Sequence, residues 1–129
     1  MIRSVIVVSG SGENLYSQSF GATDDDTTAA LGGLVSAVHS FGQMLSGSEV
    51  TEIQLGNLCL VLLQRDGMIF ALAVDVDGQQ KENEAKLLPI AGLFLLHYGS
   101  TVKIMKDLSD VSVFEGFTQI LRNNEYLSE

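Results

Sequence analysis

The chain predicts an α/β fold of the α+β type: a five-stranded antiparallel sheet flanked by helices, in the order β-β-α-β-β-β-α-α. Three observations predict it. Two strand-like stretches, residues 2–9 and 15–20, flank the turn sequence Gly10-Ser11-Gly12-Glu13-Asn14. Apolar residues recur at helical spacing over residues 29–45. Three further strand patterns then follow over residues 50–76, linked only by Gly56-Asn57 and by Gln64-Arg65-Asp66-Gly67. Links that short cannot hold crossover helices, so the strands run as an antiparallel meander.

Ile2, Val5, Ile6, Val7 and Val8 make the first strand β-branched and buried on both faces. The second alternates, placing Tyr16 and Phe20 on one face. Asp24-Asp25-Asp26-Thr27-Thr28 opens the first helix, where carboxylates meet the positive end of the helix dipole. Asp26 or Thr27 is the expected N-cap. Leu31, Leu34, Val35, Val38, Phe41 and Leu45 form the expected core face, with Ala30, Gly33 and Ala37 as a flanking strip of small residues. Gly32 and Gly33 each weaken a helix by about 1 kcal/mol relative to Ala, which suggests close approach of the helix backbone to the sheet. Ser46-Gly47-Ser48 is the expected end of the helix.

Residues 50–55 alternate, with Thr51, Ile53 and Leu55 on one face, and the single Glu52 suits a short protected edge. Residues 58–63 are continuously apolar, as in a central strand, and Asp66-Gly67 is a hairpin signal before the apolar run from Met68 to Val76. Residues 79–86 are polar and open a second helix that continues through residues 87–98. Leu88, Ala91, Leu95 and Tyr98 form its expected stripe, and Pro89 marks a kink or a fresh start. Residues 101–109 have no clear pattern. A last helix is expected over residues 110–121, with Val113, Phe114, Phe117, Ile120 and Leu121 as its apolar face, and residues 122–129 should fray. The expected core includes Val7, Leu34, Val38, Phe41, Leu60, Leu62, Leu72, Leu95 and Phe117. The 129 residues read as one domain.

Composition excludes several functions. The net charge is −9, and the seven basic residues are scattered, so nucleic acid and direct insertion into a membrane are not expected. The longest apolar run, residues 87–96, holds Pro89 and Gly92 and is half the length of a membrane span. Cys59, the single cysteine, sits in an apolar run and reads as a buried small hydrophobe in a reducing, cytoplasmic setting. Gly10-Ser11-Gly12 lacks the Lys-Ser/Thr of a phosphate loop, and the acidic run at Asp24 lacks the spacing of an EF-hand. His39 and His97 have no companion ligands in sequence. No catalytic, cofactor or metal constellation is expected.

The segments VIVVSGSGENLYSQSFG, LGGLVSAVHSFGQML and VTEIQLGNLCLVLLQRDGMIFALAVD together resemble longin (SNARE-like) domains, in particular the group that includes Fuzzy and Inturned. The resemblance implies a non-catalytic module that pairs through an edge strand and the first helix, with itself or with a longin or roadblock-like partner. It also implies engagement of a small GTPase in vesicle trafficking, peripheral to membranes through partners. A single domain of this kind suits a compact genome such as an archaeon's. The positions matched for partner binding are Ser36, His39, Ser40 and Gln43 on the first helix and Thr51, Ile53 and Leu55 on the third strand. A ligand sensor of the PAS or GAF kind is the alternative, though it usually has several short helices where this chain has one long one. A roadblock-type module begins with a helix, against the opening hairpin here. A profilin-like or coat-subunit role shares the order of elements.

Overall fold

The computed structural model describes residues 1–21, 23–45, 50–104 and 111–126, apart from the side chain of Gln43. Strands β1 (Ile2–Ser9), β2 (Asn14–Ser19), β3 (Glu52–Leu55), β4 (Leu58–Arg65) and β5 (Met68–Asp75) form one antiparallel sheet in the order β2-β1-β5-β4-β3. The expected hairpin and meander are both present, and β1 joins them by pairing with β5. This central position explains why β1 and β5 are apolar almost throughout. Val5, Val7, Phe70, Leu72 and Val74 face one side, and Ile6, Val8, Ile69, Ala71 and Ala73 face the other. Asp66 and Gly67, both at positive φ, make the tight β4–β5 turn.

Helix α1 (Asp25–Met44) covers the second of these sides. Helices α2 (Gln80–Glu84), α3 (Leu87–Ile104) and α4 (Phe117–Asn123) follow β5, and α3 and α4 cover the first side. Phe94 is the centre of that layer. Its ring lies 5.1–5.7 Å from those of Phe70, Tyr98, Phe114 and Phe117. Gln80–Ile104 is the one stretch among the described residues long and apolar enough to cross a membrane. Here α2 ends before α3 begins, and Leu87, Ile90, Ala91 and Phe94 of α3 are buried in the aromatic layer.

Several expectations are corrected. The α1 N-cap is Asp24, whose Oδ1 accepts the Thr27 amide hydrogen at 2.7 Å; neither Asp26 nor Thr27 is the cap. Of the expected core, Val7, Leu60, Leu62, Leu72 and Phe117 are buried, whereas Leu34, Val38 and Leu95 are half-buried. Phe41 is 60% exposed and Leu45 54% exposed, so neither belongs to the core. The inward face of α1 is instead Thr28, Leu31, Gly32, Val35 and Gly42. A Cβ on Gly32 would lie 2.9 Å from Asn14 Nδ2, whereas one on Gly33 would meet nothing, and Ala30, Gly33 and Ala37 are exposed. Close approach therefore explains Gly32 alone.

On α3 the buried residue of the first turn is Leu87, and Leu88 is 56% exposed. Pro89 sits in that first turn, where a helix lacks backbone partners anyway, so α3 is a fresh start rather than a kink. The expected last helix is a short 3-10 turn (Ser112–Phe114) followed by α4. Phe114, Phe117 and Leu121 are fully buried, Ile120 is half-buried and Val113 is exposed. The expected helix end at Ser46-Gly47-Ser48, residues 105–110 and residues 127–129 lie outside the described residues.

Candidate interaction surface

Helix α1 is tied to the hairpin at three levels. Thr28 Oγ1 hydrogen-bonds to Ser4 Oγ at 2.8 Å and Ser19 Oγ at 2.7 Å. Gly32 packs over Asn14 and Ile6. Ser36 Oγ donates to the Gly12 carbonyl at 3.1 Å. By Ser36 the helix has thus reached the hairpin turn, and about 12 Å of α1 remains at 1.5 Å per residue. Phe41 and Met44, and the cap residue Leu45, lie on this overhang, 60%, 81% and 54% exposed. Gly42 is buried at the same level, so Phe41 is exposed because it lies about 100° round the helix from that inward residue.

The half-buried Leu34 and Val38 continue the apolar strip along the flank of α1 opposite Ser36. Leu34 joins the same hydrophobic layer as Ile53 and Leu58. Strand β3 is a sheet edge, as its protected-edge sequence suggests. Thr51, Ile53 and Leu55 share the α1 side, since Ile53 pairs with the buried Leu60 and Leu55 with Leu58. The strip on α1 and the β3 edge form an apolar surface that no described residue covers fully.

The Leu62 amide donates to the Thr51 carbonyl at 2.9 Å. In an antiparallel ladder, hydrogen-bonded pairs alternate with non-bonded ones. Ile53, two residues on and opposite Leu60, therefore directs its backbone groups toward β4. The outward N–H groups of the edge belong to Glu52 and Gln54. Among the residues expected to bind a partner, Ile53 and Leu55 lie on β3 and Thr51 immediately precedes it. His39 is half-buried and Ser40 exposed on α1. The side chain of Gln43 is not among those described. Ser36 is engaged by the hairpin turn, away from β3.

The opposite face of β3 carries a different grouping. Atoms of Glu52, Cys59 and Glu84 lie within 4.8 Å of one another, the only such group of three potential metal ligands among the described residues. The Cys59 thiol donates to Glu52 Oε1 at 3.0 Å. Burial, then the hydrogen bond and charge of Glu52, push this thiol up to about 12. Held this way, the thiol is a protonated hydrogen-bond donor to the Glu52 carboxylate. The cleft beside it, about 620 Å³, is lined by Glu52, Asp77, Glu82 and Glu84 with Lys81 as its one cation. A second open cleft of about 630 Å³ follows the β2 edge, bounded by Val111, Glu115 and Thr118. Neither brings a base to a nucleophile.

No protein-family profile matches the chain, and no curated protein is similar to it. Among solved structures, the chain is similar to a Roadblock/LC7 domain from Streptomyces avermitilis, with a TM-score of 0.52 and 19% identity over 74% of this chain and 86% of that one. The likeness shows the fold: a five-stranded antiparallel sheet with flanking helices, of the roadblock and longin-like kind. This chain nevertheless opens with the β1–β2 hairpin, the feature that set it apart from a helix-first roadblock module.

Proposed function

We propose that this chain is a non-catalytic interaction module that pairs through β3 and the overhanging end of α1, with itself or with a longin or roadblock-like protein. The pair then engages a small GTPase in membrane trafficking. The observation that carries the reading is the coincidence of a free sheet edge with the exposed Phe41, Met44 and Leu45. Side-by-side pairing would continue the sheet and satisfy the outward backbone groups of Glu52 and Gln54. It would also remove Phe41 and its neighbours from water, at about 25 cal/mol per Å² of apolar area. A stable interface of this kind buries roughly 1,200–2,000 Å² in total. The structural likeness to a Roadblock/LC7 domain supports the interaction class. The GTPase and trafficking rest on the longin resemblance.

Size-exclusion chromatography with light scattering, across a concentration series, tests the pairing. Gln54→Pro removes an outward donor without touching the β3–β4 ladder. Phe41→Asp places a charge in the apolar strip. Both variants should be monomeric with unchanged circular dichroism. A wild-type chain that stays monomeric, alone and with longin and roadblock partners added, ends this reading. The GTPase arm is separate: a panel of purified small GTPases in both nucleotide states should contain one that binds the wild-type chain.

A further inference from the structure

The sheet has a second edge. Strand β2 lies at the opposite end from β3, so pairing through β3 leaves it open. The Phe20 amide donates to the Arg3 carbonyl at 2.9 Å, and Ser19 stands opposite Ser4 at the next position. By the alternation of an antiparallel ladder, Tyr16 and Gln18 direct their backbone groups to β1, and Ser17 and Ser19 direct theirs outward. Among the described residues, nothing pairs with the outward N–H groups of Ser17 and Ser19 or with the Ser17 carbonyl. The Ser19 carbonyl is met by the chain itself: Gln18 Nε2 donates to it at 3.1 Å. A side-chain amide thus stands where the amide of a neighbouring strand would. Sheet edges are commonly blunted by charges or bulges. Here β2 carries no charge, and the one register shift, between Val7 and Val8, leaves residues 16–19 regular.

The cleft of about 630 Å³ runs along this edge. One wall is residues 14–18; the other is Val111, Glu115 and Thr118. The Tyr16 hydroxyl hydrogen-bonds to Thr118 Oγ1 at 2.7 Å, and Thr118 Oγ1 donates to Gln18 Oε1 at 3.2 Å, so the far wall is fixed to the strand. Five extended residues span roughly 17 Å. Outward peptide groups on alternate residues of a wall that long match another extended backbone, which offers its own N–H and C=O groups at the same spacing. Glu115 is the one charged residue among the described walls. On the other face of the strand, Asp25 Oδ1 accepts from Ser19 Oγ at 3.0 Å. A carboxylate thus flanks the edge on each face, and the net charge of −9 disfavours a second copy there. We propose that the β2 edge is a docking groove for an extended basic segment of a partner protein. The segment adds a strand to the sheet through Ser17 and Ser19 and sets a Lys or Arg against Glu115.

The test is an NMR titration of the full chain with the peptide acetyl-Thr-Lys-Val-Lys-Thr-amide. With both lysines on the Glu115 side, the amides of its Val and second Thr face the edge. The same peptide N-methylated at those two residues is the backbone control, and acetyl-Thr-Glu-Val-Glu-Thr-amide is the charge control. Saturable shifts are expected at the Ser17, Ser19 and Glu115 amides, with each control at least tenfold weaker. Ser17→Pro removes an outward donor without touching the β1–β2 ladder. It should weaken the Lys peptide at least tenfold while the spectrum keeps its dispersion. Glu115→Lys should remove the preference for the Lys peptide over the Glu peptide. Three outcomes overturn the proposal. One is the absence of saturable shifts at Ser17 and Ser19. Another is binding that both N-methylation and Ser17→Pro leave unchanged. The third is movement of these amides with protein concentration alone, which makes a second copy the occupant. Pairing through β3, read by light scattering, should be the same with and without the peptide, so either reading can fail alone.

Discussion

The two faces of the sheet are built differently. The α3–α4 side is closed by interlocking rings: Phe70, Phe94, Phe114 and Phe117 are all fully buried, and Tyr16 meets Phe117 edge-on at 5.2 Å. The α1 side is built from Ile6, Val8, Leu31, Val35, Leu60 and small residues, with no buried aromatic, and its one large ring, Phe41, is in water. Aromatic side chains bury the most area per residue. The difference therefore separates a tightly closed face from one whose outer apolar residues stay exposed among the described residues.

The sharpest test contrasts the two rings. Phe94→Ala should cost about 3–5 kcal/mol in urea melts, because four neighbouring rings lose their common partner. If Phe94→Ala and Phe41→Ala cost the same, the two faces are equivalent and the contrast fails.

Alkaline titration probes the closed side next. Burial raises the Cys59 thiol from an ordinary 9.0 to about 12 and the Tyr16 phenol from 10.0 to about 12. Both groups bind their proton more tightly folded than unfolded. Their stabilising effect is whole below pH 9 and is lost as pH climbs toward 12. Unfolding free energy should decline across that window, and Cys59→Val with Tyr16→Phe should flatten the decline. An unchanged profile in the double variant would place the titrating groups elsewhere.

On the open side effects should be small. Phe41→Ala should change stability by less than about 1 kcal/mol while weakening self-association. Smallest of all, Gly33→Ala should raise stability by about 0.5–1 kcal/mol, since a methyl there meets nothing. Gly32→Ala should gain less, because its methyl would press on Asn14. Thermal melts of the two variants side by side settle the order.

The strands, their antiparallel order and the two-sided covering were legible because short turns and period-two alternation are local signals. Thr51, Ile53 and Leu55 were correctly grouped for the same reason: alternation assigns a face without any knowledge of neighbours. Phe41 was misplaced because the apolar stripe is centred on Leu34, Val38 and Phe41, whereas the buried face runs through Leu31, Gly32, Val35 and Gly42, and its glycines carry no hydrophobic signal. Ser36 looked free because its partner, the Gly12 carbonyl, lies 24 residues away and carries no side-chain signal. Asn83, buried and with no partner for its Nδ2 among the described residues, went unnoticed in a polar stretch that reads as solvated surface. The cavity it borders also draws on Phe20 and Tyr126, which come from distant parts of the chain.

By itself, then, the sequence determined the order of the strands and the first helix along the chain and the parity of each strand, properties set by spacing along the backbone. Only the tertiary structure decided which apolar residues are covered, which way the edge amides of β3 point, and where a buried donor is left without a partner. Those depend on lengths and registers of elements far apart in the chain.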